Sequence, residues 1–152
     1  MHALARSFLF ALAFFLFLYG KKMDSPRELE WYLRDHLFRQ TGKGRTQFAK
    51  SALAGEMVQL YLRYRQYDPV QLAQSLSPVV DDLVSMNVLV QTGEDPDVLE
   101  LAGGGPLVRM QCAKCFYVSY LVPSEPRLCQ RCSGQGLRDF PPPAKKDGGG
   151  KR

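Results

Sequence analysis

Apolar positions recur at helical spacing through the first half of the chain and alternate along short stretches of the second. Leu29, Leu33 and Leu37, with Tyr32 and His36 on the same stripe, predict a first helix over about 26–40. Ser25, Pro26 and Glu28 supply its start, a capping box with proline at the first helical position. Trp31 and His36 read as packing residues on that helix. Ala49, Leu53, Met57, Leu60 and Tyr64 predict a second helix over about 47–65. Tyr61, Tyr64 and Tyr67 alternate with Arg63 and Arg65, a spacing that suits the edge of a core with basic stems alongside. Asp68 caps a short third helix with Pro69 at its first position, whose apolar residues are Val70, Leu72, Ala73 and Leu76. Ser77 and Pro78 predict a fresh helix start, running to Met86, with Asn87 at its left-handed end. A strand at 88–90, a turn at 92–97 and a returning strand at 98–101 follow. Further on, 107–110 and 116–122 read as strands, and Pro123 and Pro126 bracket a turn.

Hydrophobic residues make up 45% of the 152 and charged residues 23%, a globular balance that excludes wholesale disorder. Residues 8–19 form an apolar run between Arg6 and Lys21. Its twelve residues fall short of the about 20 that span a bilayer. Three readings stay open: a start upstream of the true one at Met23, a short anchor with the body on the cytoplasmic side, or a signal segment lacking the usual small-residue cleavage site. The expected location is cytoplasmic, with nucleoid association in view and membrane attachment only if residues 1–22 are genuine. The tail from 139 to 152 carries no apolar stripe and is expected to be disordered and basic.

The net charge of +5 hides a segregation. Residues 21–65 carry +5, residues 66–108 carry −7 with no Lys or Arg at all, and residues 109–152 carry +6. A polyanion would therefore meet the flanks and be repelled by the middle. The loop at 41–46 holds Lys43 and Arg45, and with Arg39 and Lys50 it forms the best local anion patch in the first half. It lacks the spacing of a phosphate-binding P-loop, and a solvated basic turn is the simpler reading.

Cys112 and Cys115 enclose two residues, as do Cys129 and Cys132, with thirteen residues between the pairs. A two-residue spacer makes a tight knuckle that aims both sulfurs inward. Two knuckles thus supply four thiolates, the closed set of a structural zinc site. Iron in a rubredoxin-like site, a transient disulfide and unliganded thiols are the alternatives. One structural Zn²⁺ on four thiolates leaves a formal −2, and Arg109, Lys114, Arg127 and Arg131 stand around the knuckles to offset it. Gly134, just past the second knuckle, is expected to adopt a positive φ. About 30 residues bury too little apolar surface to fold unaided, so the metal is expected to hold this lobe together.

The stretch from 47 to 101, above all LAQSLSPVVDDLVSMNVLV, resembles winged-helix domains, and the paired knuckles across 107–138 resemble a zinc ribbon. The predicted fold is therefore α+β. A mostly helical winged helix with an extra N-terminal helix covers 24–102, and a small zinc-ribbon hairpin follows a hinge at Gly103 to Pro106. The order of the two is similar to that in the α subunit of the general transcription factor E of archaeal and eukaryotic type. Winged helices commonly imply DNA binding, but the helix in the reading position here carries Asp81 and Asp82 with no Lys or Arg, and the wing carries Glu94, Asp95 and Asp97. Groove insertion needs positive charge, so this helix is expected to dock a protein.

The expected function is a non-enzymatic, nucleic-acid-associated factor of transcription or replication. Nucleic acid or a polymerase-type complex would contact Arg39, Lys43, Arg45, Lys50, Arg109, Lys114, Arg127 and Arg131, and a protein would contact Asp81 and Asp82. The alternative is a structural adaptor, ribosome-associated or membrane-tethered, without nucleic-acid binding. No Ser/His/Asp set, paired buried carboxylates or cofactor loop points to an enzyme, and no small-molecule substrate is expected.

Overall fold

The computed structural model describes residues 24–141; the apolar N-terminal run and most of the C-terminal tail lie outside the described residues. The first helix, α1, spans Pro26–Gly42. Its capping box forms as the sequence predicts. The Glu28 N–H donates to Ser25 Oγ and the Ser25 N–H donates to Glu28 Oε2, both at 3.3 Å. The Leu29, Leu33 and Leu37 stripe is buried. So are three consecutive polar residues, Arg34, Asp35 and His36.

The second predicted helix is broken up. Strand β1 (Gln47–Ala49) and a short 3-10 turn precede helix α2 (Leu53–Leu60), and another 3-10 turn covers Leu62–Tyr64. Helical periodicity lost to sheet pairing here. Phe48 points into the core while β1 lies along β3 (Val98–Leu101), opposite Leu99. Asp97 then accepts from the Ser51 N–H at 2.8 Å and from the Ser51 hydroxyl at 2.6 Å, pinning the turn. At the far end, Tyr61 leaves the helix in an extended conformation, which brings its hydroxyl within 2.7 Å of Asp35 Oδ2. Tyr64 is fully buried with its hydroxyl on Asp24, and Tyr32, Tyr61 and Tyr67 pack around it edge-on or tilted.

Helix α3 runs unbroken over Pro69–Ser85, so the predicted restart at Ser77 does not occur. Pro78 sits exposed within it. On that face water can satisfy the carbonyl that proline leaves unpaired, while Leu76, Val79, Val80 and Leu83 stay anchored in the core. Asn87 closes the helix with a φ of 58°, as expected. Strand β2 (Leu89–Gln91) pairs antiparallel with β3, giving a sheet of order β1-β3-β2.

A second antiparallel sheet of order β5-β4-β6 comprises β4 (Val108–Cys112), β5 (Val118–Leu121) and β6 (Leu137–Asp139). Strand β6 was not predicted, and it runs to Asp139 where the tail was expected to begin. The next residue, Phe140, stacks on the Arg109 guanidinium. Among the described residues the fold is α+β, with three α-helices and two small sheets. Among the described residues no helix is long and apolar enough to cross a membrane.

Helix α1 packs against both helix α3 and strand β5 of the second sheet. One buried cluster runs from Leu33, Leu53 and Leu83 through to Leu107, Tyr120 and Val122. Polar groups lock the same seam. Trp31 Nε1 donates to the Val118 carbonyl at 2.8 Å. Arg34 donates to the Tyr120 carbonyl at 2.6 Å and, through both terminal nitrogens, to Glu125 at 2.9 and 2.8 Å. Asp35 accepts from the hydroxyls of Tyr120 and Tyr61 and from Arg39.

Asp35 makes part of the stability depend on pH. Burial pushes its carboxyl up, but the Tyr120 and Tyr61 hydroxyls and the Arg39 guanidinium outweigh this and hold it below the ordinary value. Its folded pKa thus lies below the unfolded value of about 3.9. The stabilisation is complete above that value and is lost as pH falls through the depressed folded one. In metal-saturated protein, Asp35→Asn is expected to lower the melting temperature at pH 7, with the gap to the parent closing below about pH 4. A gap independent of pH would contradict this. Metal content is checked at each pH, and only samples that retain the metal are compared, because losing the lobe would itself remove the Tyr120 bond to Asp35.

Candidate metal centre

Each knuckle is a backbone device, and the two are built alike. Strand β4 delivers Cys112, whose N–H donates to the Tyr117 carbonyl while its own carbonyl accepts from the Phe116 N–H, both at 2.9 Å. In the second knuckle the Cys129 N–H donates to the Gly134 carbonyl and the Cys129 carbonyl accepts from the Ser133 N–H, again both at 2.9 Å. The residue after each second cysteine takes a left-handed conformation, Phe116 at φ 60° and Ser133 at φ 57°. The positive φ expected at Gly134 therefore falls one residue earlier. Gly134 serves by lacking a side chain: a Cβ there would lie 3.2 Å from Cys132 Sγ.

The four sulfurs lie within 4.8 Å of one another. Across the knuckles, Cys112 and Cys132 are 3.7 Å apart and Cys115 and Cys129 are 3.5 Å apart. A tetrahedron with metal–sulfur bonds of about 2.3 Å has edges of about 3.8 Å, so the arrangement is compatible with one zinc ion. These separations are far beyond a disulfide bond, and all four cysteines are free. Among the described residues no other set of His, Cys, Asp or Glu side chains converges in this way.

The knuckle backbone already favours negative sulfur. The N–H groups of Cys115 and, more weakly, Lys114 pull the Cys112 thiol down to about 6. Burial raises the Cys129 thiol, but the N–H groups of Cys132 and Arg131 bring it below its usual value. The Arg131 N–H lies 3.4 Å from Cys129 Sγ. Cys115 moves the other way, to about 11. The Tyr117 N–H draws it down, but burial and the three neighbouring sulfurs prevail. Four thiols crowded together cannot all ionise unless a cation sits among them, and a divalent ion removes that obstacle. Gly134→Ala is expected to weaken metal binding by tenfold or more in a chelator-competition titration, because the added methyl presses on Cys132 Sγ. An unchanged affinity would show that the knuckle gives way freely.

The predicted basic contacts separate into two groups. Arg39 is paired with Asp35 at 2.8 Å, Arg45 with Glu56 at 2.8 Å and Lys50 with Asp81 at 2.7 Å. Three of the four members of the first-half anion patch are thus engaged by acids. Arg109 is wedged between the rings of Phe38 and Phe140. Lys43, Lys114, Arg127 and Arg131 are exposed, and among the described residues no ion pair involves them. Asp81 is held by Lys50, while Asp82 stands exposed beside Met86. His36 is packed as expected, with Nε2 2.6 Å from Glu56 Oε2. Its pKa falls through burial, which Glu56 only partly offsets.

Sequence reasoning missed the buried Arg34–Glu125 pair, whose partners lie 91 positions apart. It also missed that Arg27 and Tyr117 join Arg131 around one groove. No local pattern marks either.

What the geometry defines is a small α+β protein with a four-cysteine cluster spaced for a tetrahedral cation. No protein-family model matches the chain, and neither does any curated protein or solved structure.

Proposed function

We propose that this chain is a non-enzymatic, zinc-holding accessory factor of the transcription or replication apparatus. In this reading the cysteine lobe contacts nucleic acid or a polymerase, and the helical body docks a protein. The observation that carries the reading is where uncompensated positive charge resides. Lys114, Arg127 and Arg131 surround the knuckles free of ion pairs among the described residues; in the body Arg39, Arg45 and Lys50 are neutralised, and the unpaired Arg27, Lys43 and Arg65 are outnumbered by exposed Asp68, Asp82, Glu94 and Asp95 that enter no ion pair among the described residues.

The donor set suits zinc. Four sulfurs suit a borderline-soft ion with no geometric demand beyond the tetrahedron, and they leave no open position for substrate. The metal's role is then structural. The ribbon reading draws support from two like knuckles at the ends of the β4–β5 hairpin and the segment that follows it. The winged-helix reading draws support from three helices followed by the β2–β3 hairpin. Helix α3 would then occupy the reading position. Its exposed face offers Asp81, Asp82 and Val84, with Met86 just past its end, and no basic residue, which suits a protein surface better than a phosphate backbone.

The same exposed apolar residues favour a second reading, a structural adaptor with no nucleic-acid contact. Salt-dependent fluorescence anisotropy of the zinc-loaded chain on labelled oligonucleotides separates the two. The first reading expects binding that weakens with salt, drops when Arg127 and Arg131 are both changed to Ala, and survives Asp81→Lys with Asp82→Lys. Binding indifferent to the two arginines overturns it. No affinity at moderate salt, with a protein partner retained through purification, establishes the adaptor.

A further inference from the structure

Where the first turn of α1 meets the second knuckle, the surface opens into a groove of about 540 Å³ lined by Arg27, Trp31, Tyr32, Arg63, Tyr117 and Arg131. That volume lies within the ~300–1,000 Å³ of ordinary ligand sites. Three guanidinium groups and three aromatic side chains share its lining. The arginines are not equivalent. Arg63 is spent internally: it pairs with Asp24, reaches Glu28 Oε2 at 3.5 Å, and lies 5.5 Å over the Tyr32 ring. Arg27 and Arg131 enter no ion pair among the described residues. Glu28, which also lines the groove, is occupied by the capping box and Arg63. Two uncommitted cations therefore flank a half-buried aromatic wall.

A cation pair alone would attract any anion. Aromatic walls add a preference for a flat, polarisable group beside the negative charge, and a nucleotide has both. In a duplex the bases are stacked on each other and cannot enter such a groove, whereas an unpaired strand presents them freely. We infer that this groove is a binding site for single-stranded nucleic acid, taking a base against Trp31 and Tyr117 and the adjoining phosphate between Arg27 and Arg131, since Arg63 covers the Tyr32 ring. The inference rests on the nucleic-acid reading above and narrows it to an unpaired strand and a place on the surface. It gives the metal lobe a second task, because the knuckle positions Arg131 and Tyr117 opposite the first turn of α1.

Trp31 is the single tryptophan, so its emission reports occupancy directly. The zinc-loaded full chain is titrated with oligo(dT) of about 12 nucleotides, within the ~4–16 that single-strand sites of this kind cover, and with a duplex of equal length. Quenching by oligo(dT) in preference to duplex is expected. Arg27→Ala is expected to weaken binding about tenfold and to lower the salt slope by about one phosphate contact. Tyr117→Leu, which keeps apolar bulk, is expected to cost about tenfold with the salt slope unchanged. Metal content and melting temperature of both variants should match the parent, which separates a contact from a folding defect. Polyglutamate of equal charge should compete poorly. If it competes as well as oligo(dT), or if duplex is preferred, the groove is not a base-binding site. If binding falls with Arg127→Ala but ignores Arg27→Ala and Tyr117→Leu, the groove assignment fails while the lobe's nucleic-acid role stands. Binding to neither oligonucleotide at low salt overturns both.

Discussion

Stripping the metal from the purified chain is expected to melt the sheet of β4, β5 and β6 and to loosen the helical body with it. These strands are five, four and three residues long, and the lobe contributes few buried apolar side chains beyond Leu107, Met110, Tyr120, Leu121 and Val122. So little burial cannot offset the conformational entropy of ordering the lobe. Without a cation the sulfurs also oppose one another, as the opposite displacements of Cys112 and Cys115 indicate. Structural zinc contributes ~10–16 kcal/mol in small peptides, as much as the entire ~5–15 kcal/mol stability of an ordinary domain. Damage would spread through the seam. Strand β5 supplies the carbonyls that satisfy Trp31 and Arg34, and Tyr120 supplies a hydroxyl to Asp35. Elemental analysis should find one zinc per chain. After chelation, Trp31 emission should shift to the red and the melting temperature should fall by at least ~10 °C, both restored by zinc. A metal-free chain with parental emission and melting would overturn the four-thiolate account. Cys115→Ser and Cys132→Ser should reproduce the chelated state. Cys132 lies at the outer side of the cluster, so its replacement removes a ligand with little change in packing.

How far the sequence discloses this molecule depends on how local each signal is. The capping box of α1, the Asn87 terminus, the β2–β3 hairpin and the cysteine pairs are encoded within a few residues, and the structure contains each of them. Failures came where a distant partner decided. Gln47, Phe48 and Ala49 fall at the start of the predicted second helix, yet β3 offered an open edge some fifty positions later, and pairing there won. Ser77 and Pro78 look like a helix start, but Leu76, Val79 and Val80 are anchored on one continuous face, and that burial outweighs one lost backbone bond on the solvent side. Arg39, Arg45 and Lys50 looked available because charge counted along the chain ignores the acids that folding brings alongside. Strand β6 was hidden because its three residues, Leu137, Arg138 and Asp139, have no alternation long enough to detect.

The second large effect expected concerns Glu125. Arg34 is only 2% exposed and holds its charge through Glu125, Glu30 and the Tyr120 carbonyl. Burial disfavours its charged form, and the bonds to Glu125 and then Glu30 more than restore it. Glu125 also accepts the Val122 N–H at 2.7 Å, so one carboxylate closes the β5 turn and neutralises α1. Glu125→Ala leaves a buried guanidinium with Glu30 as its remaining acid partner, and losing the bidentate charge-assisted bonds should cost ~2–3 kcal/mol. An exposed pair gives the contrasting magnitude: Lys50 and Asp81, at 34% and 64% exposure, should contribute ~1 kcal/mol or less. Replacing both members of the buried pair, Arg34→Met with Glu125→Ala, should be milder than Glu125→Ala alone, because the stranded charge is gone. Recovery should be partial, since the Val122 N–H and Tyr120 carbonyl still lose partners. Denaturant unfolding of zinc-saturated variants, arranged as a double-mutant cycle, measures each term. A Glu125→Ala loss no larger than that of Asp81→Ala would mean that water reaches Arg34 once the carboxylate is gone, and that the Arg34–Glu125 pair does little to hold the lobe to α1.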